Sequence, residues 1–526
     1  MYIKFVSRDI LIKSVMSDAT SNNKRIAKNT LYMYFRMIVV MIVSLFTTRI
    51  VFKALGIDDY GLYDVVGSII VLFGFINKGL TTATRRYITA EIANGDKDSQ
   101  QNVFNLSLYA HGLIAIIIFI LAETAGLYLV NYTLNIPEDR LVASNVVYQI
   151  TVLTAIWNVF QAPFQATITA FERMNIYAYL SILDVVLKLV VAYIISIYSG
   201  DKLIIYSILI FASVFITTFV TRLYCIKKFD ICRFKRPYNR VLLKEMFGYM
   251  GWSLMGQFVV VLTSQGVSML VNVFFTVAAN AAMGISNQIT NVVNQFVTNF
   301  QVAFQPQITK QYVKKEFESL NTLAVRASRF SSYLVLIFMI PIIFQIRNFL
   351  GIWLGEFPEY AVEFCLFTLI SIFIDAISAP LWMIAFADKN IRRYQIIMAV
   401  IYSFNFIGAW VVLSLGFPPY SVIIVRCIVY SVAVLGRLLL VKDKMNLFSI
   451  KQWCCDCILR SIMIVTPPIV IMHFFTKLQF TNSYVELVCV SGITFLLMVL
   501  SIYFIGLKKE EKHLISGKIM TLIHRK

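Results

Sequence analysis

Apolar runs about twenty residues long, broken by short polar or basic stretches, recur from end to end of this sequence. A helix rising about 1.5 Å per residue needs that length to cross a hydrocarbon core about 30 Å thick. In lipid a lone segment satisfies its backbone hydrogen bonds only as a helix. The pattern predicts helices at 30–53, 62–84, 104–131, 141–168, 176–199, 203–224, 247–274, 279–304, 330–354, 361–386, 393–415, 418–438, 460–478 and 484–506. The expected fold is therefore all-α and integral to the membrane, with about 14 transmembrane helices.

Composition agrees: 59% of the 526 residues are apolar and 14% charged, where a soluble chain carries about a quarter charged. The net charge of +19 raises nucleic acid as a partner, but its distribution points elsewhere. With an N-in start, 37 Lys and Arg fall on the tails and the cytoplasmic connections and six on the outer side. That asymmetry is the positive-inside signature. It places both termini in the cytoplasm and reads as attraction to anionic membrane lipid rather than to nucleic acid. The connections are too short to hold a soluble domain. Residues 1–29 carry six basic residues without a short apolar core and cleavage site, so they read as a cytoplasmic tail rather than a secretory signal, with Met16 an alternative start.

The chain repeats itself. At an offset of 220 residues Val65 matches Ile285, Ile69 matches Ile289, Ala83 matches Ala303, and Ile88-Thr89 matches Ile308-Thr309. Ala162-Pro163, Ala170-Phe171 and Asn175-Ile176 recur as Ala379-Pro380, Ala385-Phe386 and Asn390-Ile391. The organisation expected is a tail (1–29), a six-helix lobe (30–226), a basic linker (227–246), a second six-helix lobe (247–440), two added helices (441–506) and a tail (507–526). The same N-in start in both lobes makes the repeat parallel.

Polar residues inside the predicted helices carry the candidate chemistry. Asn287, Asn291, Asn294, Thr298, Gln301 and Gln305 share one face of helix 279–304, and Ser253, Gln257, Ser264 and Ser268 extend the idea on helix 247–274. Amides facing hydrocarbon are costly, so this face meets neighbouring helices or lines an aqueous cavity; its length along the helix favours the cavity. Arg36, Arg49, Lys78 and Arg426 are cations within or at the ends of helices, and Asp64, Asp184 and Asp375 are acids. Asp184 and Lys188 stand four apart and form a self-neutralising pair. Snorkelling to an interface is the rival reading for Arg36, Arg49 and Lys78. The excess of cations suits an anionic substrate. Asp375, with Asp184 and Lys188, are the candidates for ion coupling. The cluster Cys454, Cys455 and Cys457 has no nearby histidine to complete a tetrahedral site, so no metal is expected. No phosphate-binding loop of the ATPase type occurs, and no cofactor is expected.

The stretch NNKRIAKNTLYMYFRMIVVMIVSLFTTRIVFKALGIDDYGLYDVVGSI, continuing through FGFINKGLTTATRRYITAEIANGD, resembles the opening of bacterial polysaccharide flippases, more narrowly the lipopolysaccharide or O-antigen exporters. These share a superfamily with multidrug and toxin extruders and the lipid II flippase. The pattern T-x-R-[IV]-V is met by Thr47, Thr48, Arg49, Ile50 and Val51. The resemblance implies a V-shaped pair of six-helix bundles around a cationic cavity. It implies alternating-access export of an undecaprenyl-pyrophosphate-linked oligosaccharide across the inner membrane, with transient contacts to glycan assembly enzymes. Arg36, Arg49, Lys78 and Arg426 would then meet the pyrophosphate. A cation-coupled multidrug exporter of the same architecture is the first rival. A membrane glycosyltransferase or polymerase using Asp58 and Asp59 is the second, although those aspartates also suit the N-terminus of helix 62–84. The chain is expected to be a transporter rather than an enzyme.

Overall fold

A computed structural model describes residues 2–73, 81, 84–85, 87–89, 91–92, 96–171, 173–235, 244, 258–259, 261–302, 304–387, 392–445, 447–475 and 482–512, and all regular structure among them is helical. The helices are α1 (Tyr2–Phe73), α2 (Lys97–Leu121), α3 (Leu141–Ala170), α4 (Met174–Ile197), α5 (Lys202–Lys228), α6 (Val267–Phe274), α7 (Val277–Val302), α8 (Gln305–Val313), α9 (Phe317–Phe344), α10 (Ile346–Leu354), α11 (Ala361–Ala387), α12 (Arg392–Ser414), α13 (Ser421–Lys444), α14 (Ile450–Trp453), α15 (Arg460–Phe475) and α16 (Ser483–Ser501).

Eleven helical stretches among the described residues are long and apolar enough to cross a membrane. They relate simply to the fourteen predicted. The first and second predicted helices run together in α1, where a single residue, Gly56 at φ 79°, turns the chain. A loop was expected there; glycine alone makes this turn at no steric cost, and helix resumes at once. The seventh predicted helix lies partly outside the described residues. The eighth, α7, carries too many amides to score as apolar.

Two compact units divide the chain: Met1–Leu55, Ile69–Tyr132 and Pro137–Gln257 form one, and Gly56–Ser68, Thr133–Ile136 and Phe258–Lys526 the other. In the first, α3 packs on α2 and α5, and α4 packs on α5. In the second, α11 packs on α9 and α13, and α12 packs on α13. This is the same pattern one repeat later. Pro163 and Pro380 sit inside the equivalent helices α3 and α11. Thr89 donates its hydroxyl to the Arg85 carbonyl at 2.8 Å, and Thr309, 220 positions on, donates to that of Gln305 at 2.9 Å. Val65 and Ile285, and Ile88 and Ile308, are all buried. The internal repeat is thus written in the packing.

Close approach in the second unit depends on glycine. A Cβ on Gly61 would lie 2.0 Å from the Val277 carbonyl oxygen and 3.3 Å from the Ala281 nitrogen. One on Gly284 would lie 3.2 Å from the Asp64 carboxyl. The segment Gly56–Ser68 therefore seats against α7 backbone to backbone. Helix α2 widens into π turns over Ala122–Gly126 and Leu129–Thr133. Such turns strand carbonyls; the Tyr148 hydroxyl donates to that of Ala122 at 2.8 Å.

Candidate functional site

Within the first unit α1, α3, α4 and α5 enclose a cavity of about 320 Å³. Arg36 enters from α1, Asn158 and Gln165 from α3, Tyr177, Ser181, Asp184 and Lys188 from α4, and Thr217, Thr218 and Thr221 from α5. The α4 residues recur at helical spacing, so one face of that helix supplies them all. The α5 threonine hydroxyls donate to their own helix, at Ser213, Val214 and Thr217 carbonyls. Their oxygens can still accept. Thr218 does so from the Trp157 indole at 2.5 Å.

Charge in this cavity is unbalanced. Lys188 donates to Asp184 at 2.7 Å, as the i, i+4 spacing predicts, and the two cancel. The Arg36 guanidinium lies 5.1 Å over the Tyr177 ring and reaches the Ser181 hydroxyl at 3.4 Å. Its Nε is buried without a partner among the described residues. Among the described residues one uncompensated cation therefore remains beside hydroxyls and amides. The volume suits a phosphate or one sugar ring, near the lower end of ligand pockets.

In the second unit Arg437 organises a network that sequence reasoning missed. It donates to the Asp375 carboxylate at 2.9 Å, to the Ser378 hydroxyl at 2.5 Å and to the Tyr402 hydroxyl at 2.6 Å. Its side chain is 7% exposed, against 47% for Asp375. Sequence reasoning sets Arg437 at the very end of the helix 418–438 and counts it as a cytoplasmic cation, whereas α13 runs on to Lys444 and carries it inside the helix. Arg426, on the same helix, is buried and makes no hydrogen bond or ion pair among the described residues.

The remaining candidates scatter. Arg49 is exposed on α1, while Lys78 and Gln257 lie outside the described residues. On α7, Asn291, Asn294 and Thr298 are exposed and Asn287 half-buried, whereas Ile289, Val293 and Val297 on the other side are buried. Gln301, at the end of the stripe, is buried and donates to the Ala376 carbonyl at 3.2 Å. The half-buried Ser264 hydroxyl bonds its own helix at Val261. So one end of the stripe joins helices, and the middle is open.

Asp64 and Glu123, both inside candidate spans, have no ion pair among the described residues. Asp64 accepts from the Ser268 hydroxyl at 3.4 Å. Glu123, which sequence reasoning passed over, accepts from the Gln149 amide at 3.2 Å while its second oxygen is buried and unpartnered. Its place inside a predicted span was the available signal.

Comparison with known proteins places this geometry in context. The MatE family model matches residues 33–194. No curated protein matches the chain. Among solved structures, a lipid II flippase, MurJ, in an inward closed conformation superposes with a TM-score of 0.71 at 13% identity, covering 90% of this chain and 99% of that one. An inward-facing multidrug resistance MATE transporter of the MOP superfamily gives 0.60 at 15%, covering 79% and 98%. A MOP superfamily transporter from Pyrococcus furiosus gives 0.56 at 16%, covering 81% and 96%. The chain is a multi-pass membrane protein with the fold of these transporters.

Proposed function

We propose that this protein moves an amphiphile with an anionic, sugar-bearing head, a lipid-linked oligosaccharide on a polyprenyl pyrophosphate, across the bacterial inner membrane by alternating access. One observation carries the reading: the acids nominated for ion coupling are already matched, Asp184 by Lys188 and Asp375 by Arg437, while Arg36 and Arg426 have no carboxylate among the described residues. Uncompensated guanidinium groups within a membrane span are expensive unless an anion meets them. Phosphate oxygens take such a fork bidentately. The 320 Å³ cavity is too small for a whole lipid-linked glycan, so its share is a phosphate or a single sugar. The product feeds surface polysaccharide assembly, O-antigen-like in class, with the lipid tail kept in the bilayer.

The experiment is genetic. Cells depleted of the protein should accumulate lipid-linked precursor on the cytoplasmic face and lose surface glycan, and Arg36→Gln should reproduce the defect. Surface glycan that persists with no precursor build-up sinks the proposal.

A second reading has its own support. Asp64 and Glu123 have no cationic partner among the described residues, which suits a cation-coupled multidrug exporter. Drug accumulation in cells carrying Asp64→Asn and Glu123→Gln separates the two: drug export lost with glycan display intact favours the exporter.

A further inference from the structure

Away from these sites, the second unit gathers four cations and two carboxylates where α9 meets the C-terminal helices. Arg326 and Arg329 come from α9, Asp456 from the π turn Cys454–Leu459, and Arg460 from the start of α15. Lys508 and Glu511 follow the π turn Ile502–Gly506. One Glu511 oxygen meets Arg329 at very short range and Arg326 at 3.3 Å, and the other accepts the Lys508 backbone N–H at 2.9 Å. Asp456 takes Lys508 at 3.0 Å and Arg460 at 3.4 Å. All four carboxylate oxygens are therefore engaged, and two positive charges remain in excess among the described residues.

The shortage of acceptors is sharpest at Arg329. Its side chain is 2% exposed. Its Nε and Nη1 have no partner among the described residues. Buried donors left unmet are costly, more so on a charged group. Glu511 occupies Nη2 alone, so two of the three guanidinium nitrogens are left to call for a second anion. At the rim, Arg326 and Lys508 are 43% and 46% exposed, which opens the cluster to the boundary of the membrane.

We propose that this junction binds the phosphate of an anionic phospholipid headgroup. Lys508 and Glu511 lie just past the end of the candidate span Ser483–Gly506, the level at which headgroups lie, and the partners they meet come from the spans Phe317–Phe344 and Ile450–Phe474. Ile458, Leu459, Ile462 and Phe504 are exposed on the same π turns and the start of α15, and an acyl chain would cover them. A free phosphate has no use for that apolar border, whereas a lipid uses both. Basic pockets between helices at a membrane face recognise such heads. Anionic lipid would thereby hold the C-terminal helices and the tail segment onto α9.

Native mass spectrometry and thermal unfolding of the full chain in detergent test this with phosphatidylglycerol, phosphatidylcholine and inorganic phosphate as probes. Phosphatidylglycerol should stay bound and raise the unfolding temperature, while the other two do neither. Arg326→Gln with Lys508→Gln, both at the exposed rim, should weaken phosphatidylglycerol retention about tenfold with the fold intact. Arg329→Lys, which keeps a cation for Glu511 but removes the unmet Nε and Nη1 donors, should lose the preference for the anionic lipid. Retention unchanged in the rim variant overturns the proposal, as does equal stabilisation by inorganic phosphate, which would make the site one for a small anion. Should Arg329→Lys fail to fold, the rim variant decides alone.

Discussion

Breaking the Arg437–Asp375 pair from its two sides should have unequal consequences. Asp375→Asn strands a buried guanidinium, and losses of this kind run to about 3 kcal/mol. Arg437→Met leaves a carboxylate that is half exposed and can recover solvent, so it should cost less. Thermal unfolding of the two variants in detergent checks the order; equal losses would mean that the aspartate is not the arginine's main counter-charge. At Arg36 the expectation is reversed. Arg36→Gln gives up one long hydrogen bond and a ring contact worth about 1 kcal/mol, so unfolding should barely move while transport is lost. At this scale, legibility follows sequence distance. The Asp184–Lys188 pair is four residues long and stood in plain view. The Arg437 network joins residues 35, 59 and 62 positions apart, and no local pattern marks it.

Among elements, the segment Gly56–Ser68 offers a matched pair of substitutions. Gly61→Ala drives a methyl into the Val277 carbonyl, an overpacking that costs about 1–3 kcal/mol. Gly67→Ala, in the same helix with nothing within 4 Å of the new carbon, should be neutral or stabilise by about 0.5–1 kcal/mol from helix propensity. If both glycines tolerate alanine equally, the close seat of this segment on α7 is wrong. Helix existence was legible because span length and apolar runs are set by the bilayer. The turn at Gly56 was not, because one positive φ replaces an expected loop. The π turns were equally hidden, since a widened turn leaves apolar periodicity almost unchanged. The amide stripe of α7 was legible as a polar face; that Gln301 is spent on α11 while Asn291 and Asn294 stay open required the neighbouring helices.

For the whole molecule, two weak sequence echoes foretold a repeat, and equivalent helix packings in the two units bear it out. Orientation across the membrane rests on the distribution of Lys and Arg and makes its own prediction. A membrane-impermeant maleimide should label Glu138→Cys in intact cells, but reach Cys455, which is exposed, only after permeabilisation. Labelling of Cys455 from outside would invert the topology. Substrate identity is the least legible level, because it depends on side chains gathered from several helices and on a fold shared by transporters of different cargo. It is best tested with the purified protein in vesicles containing a lipid-linked oligosaccharide on one leaflet, scored by the arrival of glycan at the other. The account predicts movement that requires the protein and disappears with Arg36→Gln; vesicles in which the glycan stays put, while a cationic drug is carried across, would contradict it.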